Sequence, residues 1–298
     1  MSMREHALNS QALANESYHL YRSLRMKTLF VEGNDDVRFW TKHLPEGGLR
    51  LKATDGKDRA VGAVQLLMRI ARAEARFVGM AIVDLDYEPI LREDKPDPEG
   101  ICRIQYDEGE GRCRDLEVLL VRSEALSKLL TEYPSERWEG RKAERTQWVR
   151  DRLAECGAVV GAVHVVARLE EEEKGGGRHV AVADSVPWQD WFDAREISLR
   201  DGYLQKVFER PEAGRWRQIH EKLLRERSPW ELCNGHDVAL MLGCHLEFLC
   251  RGKRQFRQRD VQERLRLALD HEDLRRTPTW KKVGSWLREA GILVDKAD

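Results

Sequence analysis

The chain has 298 residues, 51 Lys and Arg against 52 Asp and Glu, and a formal net charge of −1. With 41% hydrophobic and 35% charged residues it can bury a sizeable core in one large or two modest domains, which excludes a disordered polyelectrolyte. No apolar run approaches the roughly 18 residues of a membrane span, and MSMREHALNS lacks a signal-peptide core, so a soluble, cytoplasmic protein with no membrane partner is expected.

Residues 5–24 read as a polar, helix-rich lead-in. KTLFVEG (27–33) then reads as a short strand, DDVRFWTKHL as a helix and LRLKAT as a second strand. DGKDRAVGAVQLLMRIARAEA is a helix with Val61, Val64, Leu67, Met68 and Ala71 on one face. RFVGMAIVDLD is almost entirely apolar up to its acidic end, as a central parallel strand should be. ICRIQYDEG is a fourth strand and DLEVLLVRSEALSKLL a third helix. Strands alternating with helices of this length predict an α/β domain with a mostly parallel sheet flanked by helices.

After Tyr133-Pro134 the pattern changes. ERWEGRKAERTQWVRDRLAEC is a charged helix; GAVVGAVHVVARLEEEE has strand-like composition but helical length, and is taken as a helix ended by Gly175-Gly176-Gly177. RHVAVADS is a candidate short strand, and residues 196–298 read as helical. The expected organisation is a lead-in over 1–25, an α/β domain with a helical insertion over 26–190, and a mainly helical C-terminal domain over 191–298. Residues 200–298 hold 21 basic against 16 acidic residues, a balance of +5, while residues 1–199 stand at −6. An acidic half beside a basic half suits a metal-binding module joined to one that meets polyanions.

The six cysteines (102, 113, 156, 233, 244 and 250) are scattered, as reduced thiols would be. Cys233, His236, Cys244, His245 and Cys250 lie close in sequence but lack a Cys-x-x-Cys pair, so buried thiols are favoured over zinc. The acids are more informative. In parallel α/β sheets functional groups collect at the carboxyl ends of strands. Glu32 closes the first strand, Asp84 and Asp86 close the third, and Asp115 and Glu117 follow the fourth. Alternate residues of an extended strand share a face, which would turn Asp84 and Asp86 toward one site. Singly each signal is weak, because helix dipoles and turns also favour acids. Clustered, carboxylates repel unless cations neutralise them, and hard oxygen ligands suit Mg²⁺ or Mn²⁺.

VEGNDDVRFW, then IVDLDYE, then RDLEVLL resembles the TOPRIM domain, and most closely its OLD-like nuclease branch. The motifs cover roughly residues 28–121. Motif order and length also resemble the TOPRIM subunit of the PARIS anti-phage system. The resemblance implies a TOPRIM-like sheet with Glu32 as general base or metal ligand, and with Asp84 and Asp86 as metal ligands. Glu117, with Asp115, would complete the site. Where OLD-type nucleases carry a lysine after a glycine, this chain has Gly235-His236-Asp237. His236 could then supply positive charge when protonated and Asp237 could bind metal; the alternative is that both merely start a helix. The resemblance further implies an abortive-infection toxin that cleaves tRNA, an ABC or SMC-like ATPase partner that restrains it, and a homodimer on release.

CRGKRQFRQR (250–259) carries Arg251, Lys253, Arg254, Arg257 and Arg259 with no acid, and Phe256 among them. Phosphates would be met electrostatically and Phe256 would stack on a base; a solvated basic loop is the plain alternative. Two functions compete: a Mg²⁺- or Mn²⁺-dependent nuclease, endoribonuclease before DNase, and a non-catalytic TOPRIM module that senses or holds a polyanion for the ATPase.

Overall fold

A computed structural model describes residues 3–71, 78–91, 97–106, 115–173, 186–209 and 213–292. In chain order, α1 (Met3–Leu24) leads into β1 (Lys27–Val31), α2 (Asn34–His43), β2 (Leu49–Ala53), α3 (Lys57–Ala71) and β3 (Gly79–Val83). Then come the one-turn α4 (Glu88–Leu91), β4 (Ile101–Arg103), α5 (Leu116–Arg122), α6 (Glu124–Thr131) and the long α7 (Lys142–Glu173). A two-stranded pair, β5 (Phe192–Asp193) and β6 (Ser198–Leu199), precedes α8 (Tyr203–Val207), α9 (Gly214–Glu226) and α10 (Pro229–Leu232). The chain continues through α11 (Gly235–Leu249), α12 (Gln258–Ala268), α13 (His271–Arg275) and α14 (Pro278–Glu289).

The chain divides into two compact units. The first comprises residues 1–84, 95–104 and 274–298. It holds a four-stranded sheet in the order β2-β1-β3-β4, with every pairing parallel. The apolar runs explain that order: Leu29, Phe30 and Val31 of β1 and all of β3 are buried, as inner strands covered on both faces must be. Phe30, Ala81 and Val83 pack against Ala60, Val64 and Leu67 of α3 and Ala14 of α1. Removing such side chains from water is the main favourable term in folding, about 25 cal/mol per Å² of apolar surface. From the far end of the chain α14 returns to this unit, where Lys282 pairs with Asp97 at 2.6 Å. Sequence order had set residues 191–298 apart from the sheet.

The second unit, residues 85–94 and 105–273, has β5 and β6 as its only strands among the described residues and is otherwise built of helices and their connections. Its longest element is α7: the two stretches read separately from the sequence form one helix of 32 residues. Gly161 lies where α10 crosses α7, and a Cβ there would sit 1.8 Å from the Leu232 carbonyl oxygen, so the contact requires glycine. Two expectations need correction. The single helix predicted over 115–130 is broken at Ser123, whose extended backbone ends α5 and whose Oγ accepts the Ala125 N–H to start α6. The fourth strand is only three residues long. The candidate strand RHVAVADS lies outside the described residues.

Candidate functional site

The sheet fixes Glu32 at the point where β1 ends. The Val31 carbonyl accepts from the Thr54 backbone N–H and from Thr54 Oγ1, each at 3.0 Å, and the Glu32 carbonyl accepts the Gly56 N–H at 3.0 Å. The turn beyond it is pinned by Asp36, whose Oδ2 accepts the Gly33 N–H at 2.8 Å. Across the sheet, Glu32 Oε1 accepts the backbone N–H of Asp84 at 2.7 Å. Since β1 and β3 pair in parallel, with Val31 opposite Ile82, both acids leave from neighbouring carboxyl ends. The first unit therefore brings together two of the predicted site residues, each partly exposed.

Asp86 departs from the reading that paired it with Asp84. The strand stops at Val83, and Asp86 stands in the left-handed region at φ 54°, so the period-two alternation no longer applies there.

In the second unit the predicted acids serve the start of α11. Asp115 Oδ1 accepts the Val118 N–H at 2.9 Å, capping α5, while Oδ2 accepts the Gly235 N–H at 2.7 Å, capping α11. A Cβ at Gly235 would lie 2.1 Å from Asp115 Oδ1, which explains the glycine. Glu117 is 9% exposed, with Arg266 Nη2 3.7 Å from its Oε1. Asp237 Oδ1 accepts the Trp188 Nε1–H at 2.9 Å, and its Oδ2 meets His164 Nε2 at 2.9 Å. His236 is exposed, with its Nδ1 3.0 Å from the Gln262 side-chain amide nitrogen. His164, Trp188, Gln262 and Arg266 escaped the sequence reading. Only His164 left a trace, as the lone polar residue in the apolar run GAVHVV.

Among the described residues no group of three or more His, Cys, Asp and Glu side chains is gathered as a metal site. Glu32 and Asp84 nevertheless have the donor chemistry of a hard-cation site. Mg²⁺ commonly takes one or two carboxylates and completes its shell with water and substrate phosphate. Of the clustered thiols and imidazoles, Cys233 Sγ donates to the Ala154 carbonyl at 3.5 Å, and His245 Nδ1 is engaged by the Ala194 carbonyl at 2.8 Å. Burial, the largest influence, pushes His245 down to about 4 and the Cys102 and Cys156 thiols up to about 12, so these groups stay neutral at pH 7.

Compared with protein-family models and with curated proteins, the chain matches none. Among the described residues no helix is long and apolar enough to cross a membrane.

The basic segment is partly as expected. Arg251, Lys253, Arg254, Arg257 and Arg259 are exposed. Phe256 is not available to a base: it is 5% exposed and packs edge-on against Tyr133, with ring centroids 5.3 Å apart. Its role is to anchor the segment, with the Arg254 and Arg264 guanidinium groups 5.2 and 5.8 Å from its ring centre.

Proposed function

We propose that the chain is a metal-dependent nuclease effector of the TOPRIM type that cleaves RNA, with tRNA as the substrate the resemblance favours. The observation that carries this reading is the Glu32–Asp84 contact, which sets two acids at neighbouring carboxyl ends of parallel strands. Glu32 and Asp84 would hold Mg²⁺ or Mn²⁺, which when bound stabilises charge developing on a phosphate oxygen and makes a bound water more acidic. The protein's own contribution is to hold Glu32 in place: its backbone carbonyl accepts the Gly56 N–H and one side-chain oxygen the Asp84 N–H. In the second unit the exposed cations of 251–259 are the phosphate-binding surface of this reading. An ATPase partner of the ABC or SMC-like class, homodimerisation on release and an anti-phage role belong to the proposal through the resemblance alone.

One observation favours a second reading, a non-catalytic polyanion-binding module: Asp115 and Asp237 have both carboxylate oxygens engaged in structural contacts. Incubating total tRNA and plasmid DNA with the protein and Mg²⁺ or Mn²⁺ separates the two. Cleavage by wild type and its loss in Glu32→Gln and Asp84→Asn supports the nuclease. Intact substrates, with and without the partner ATPase, leave the module.

A further inference from the structure

A cavity of about 620 Å³ opens in the second unit between the end of α6, the turn Glu136–Trp138 and the start of α7. Arg145 lines it and is only 6% exposed. Two of its nitrogens serve the chain: Nη1 donates to the Leu130 carbonyl at 2.9 Å and Nη2 to the Tyr133 carbonyl at 2.6 Å. Its Nε has no hydrogen-bond partner, and no carboxylate among the described residues pairs with the guanidinium. Burial acts against its charged form. The carbonyls at the end of α6 offset part of that cost, but a full buried charge without a counter-ion is expensive. An anion in the cavity would supply the missing counter-charge, although Nε itself is sealed from solvent.

The walls say which anion. Lys142 adds a second, exposed cation. Trp138, half-buried, belongs to a stack of planar groups: its ring lies 5.6 Å from that of Trp148, Arg141 lies 5.0 Å from the Trp138 centroid, and Arg137 stands over both rings at 5.2 and 4.9 Å. Unpaired bases stack on both indole rings and guanidinium planes. Glu136 and Glu139 line the exposed side and balance Lys142 and Arg145 in formal charge, which disfavours a multiply charged free nucleotide more than a singly charged phosphodiester. The cavity also adjoins the basic segment, because Tyr133, next to the lining residue Pro134, is the partner of Phe256.

We propose that this cavity is a subsite for one unpaired nucleotide of a single-stranded RNA, the phosphodiester facing Arg145 and Lys142 and the base joining the Trp138 stack. The choice of RNA rests on the nuclease reading above; the subsite itself does not require cleavage.

Fluorescence anisotropy tests it, with a short labelled single-stranded RNA and the full chain carrying Glu32→Gln so that the strand survives. Trp138→Ala should raise Kd on the order of ten-fold. Lys142→Glu, at an exposed position, should weaken binding several-fold and lower the slope of log Kd against log salt by about one. An unchanged Kd and salt slope in Lys142→Glu, with circular dichroism showing a folded protein, overturns the subsite even if Trp138→Ala fails to fold. Displacement of the RNA by 5′-AMP at equal nucleotide concentration overturns the assignment to a strand. Failure of wild type to cleave, with and without the partner ATPase, would sink the nuclease reading and leave this binding result standing.

Discussion

The carboxyl end of the sheet and the start of α11 present similar acidic residues, and the backbone around them decides what those acids do. At the carboxyl end of the sheet, Glu32 Oε1 accepts the Asp84 amide across the strands, and Asp84 follows the last residue of its strand. At the start of α11, Asp115 spends both oxygens on two helix N-termini, and Asp237 is held between an indole and an imidazole. A helix start offers several orphan amide donors that capture any nearby carboxylate, whereas a parallel strand satisfies its amides in the ladder, so that at its tip only the amide just beyond the strand, that of Asp84, is met by Glu32. The same acid is therefore architecture in one place and a candidate for chemistry in the other.

That contrast is sharpest where packing is tightest. Phe256 belongs to the α11 region, since a Cβ on Gly243 would lie 3.0 Å from its carbonyl oxygen. Phe256→Ala should cost about 3–5 kcal/mol in denaturant unfolding, as a core deletion does. Weakened RNA binding with full stability would instead return the ring to the surface. Gly235→Ala comes next, at about 3 kcal/mol, because the methyl group displaces the Asp115 carboxylate. Asp115→Ala should cost about 2 kcal/mol by uncapping α5 and α11 together. If Asp115→Ala instead spared stability and abolished cleavage, the two regions would have to be joined in one function.

A smaller effect is read from pH. An unfolded imidazole takes up a proton near pH 6.5, but His245 on α11 stays neutral until about pH 4, chiefly because it is buried. Between those values the unfolded state binds the extra proton, so stability should fall as pH drops from about 6.5 to about 4 and the His245 contribution should level off below. His220 is shifted in the same direction, again by burial first. His245→Gln should show a smaller loss across that window in equilibrium unfolding; an identical pH profile would rule out His245 as a source.

The sheet was legible because apolar runs of strand length, each followed by a helical repeat, admit few other folds, and the acids at their ends could be read directly. Contacts between distant residues were not legible. Asp115 and Gly235 are 120 positions apart, and nothing in RDLE distinguishes a metal ligand from a double helix cap. Ser123 looks like one polar residue within a helix until its backbone turns extended. Arg145 sits among charged residues in RKAERTQW, and only the tertiary fold shows it to be buried. Phe256 was misread for the same reason, since its burial depends on Tyr133.

The central claim is that Glu32 is held for chemistry and not for stability. Glutamine keeps an oxygen that can accept the Asp84 N–H, so Glu32→Gln should unfold at the wild-type temperature. With Mg²⁺ or Mn²⁺, its rate of tRNA cleavage should fall on the order of 10² or more. Measuring both quantities on one preparation is the most direct test. An unchanged Tm with lost cleavage is the predicted result; a lowered Tm with cleavage retained would make Glu32 one more structural carboxylate and contradict the account.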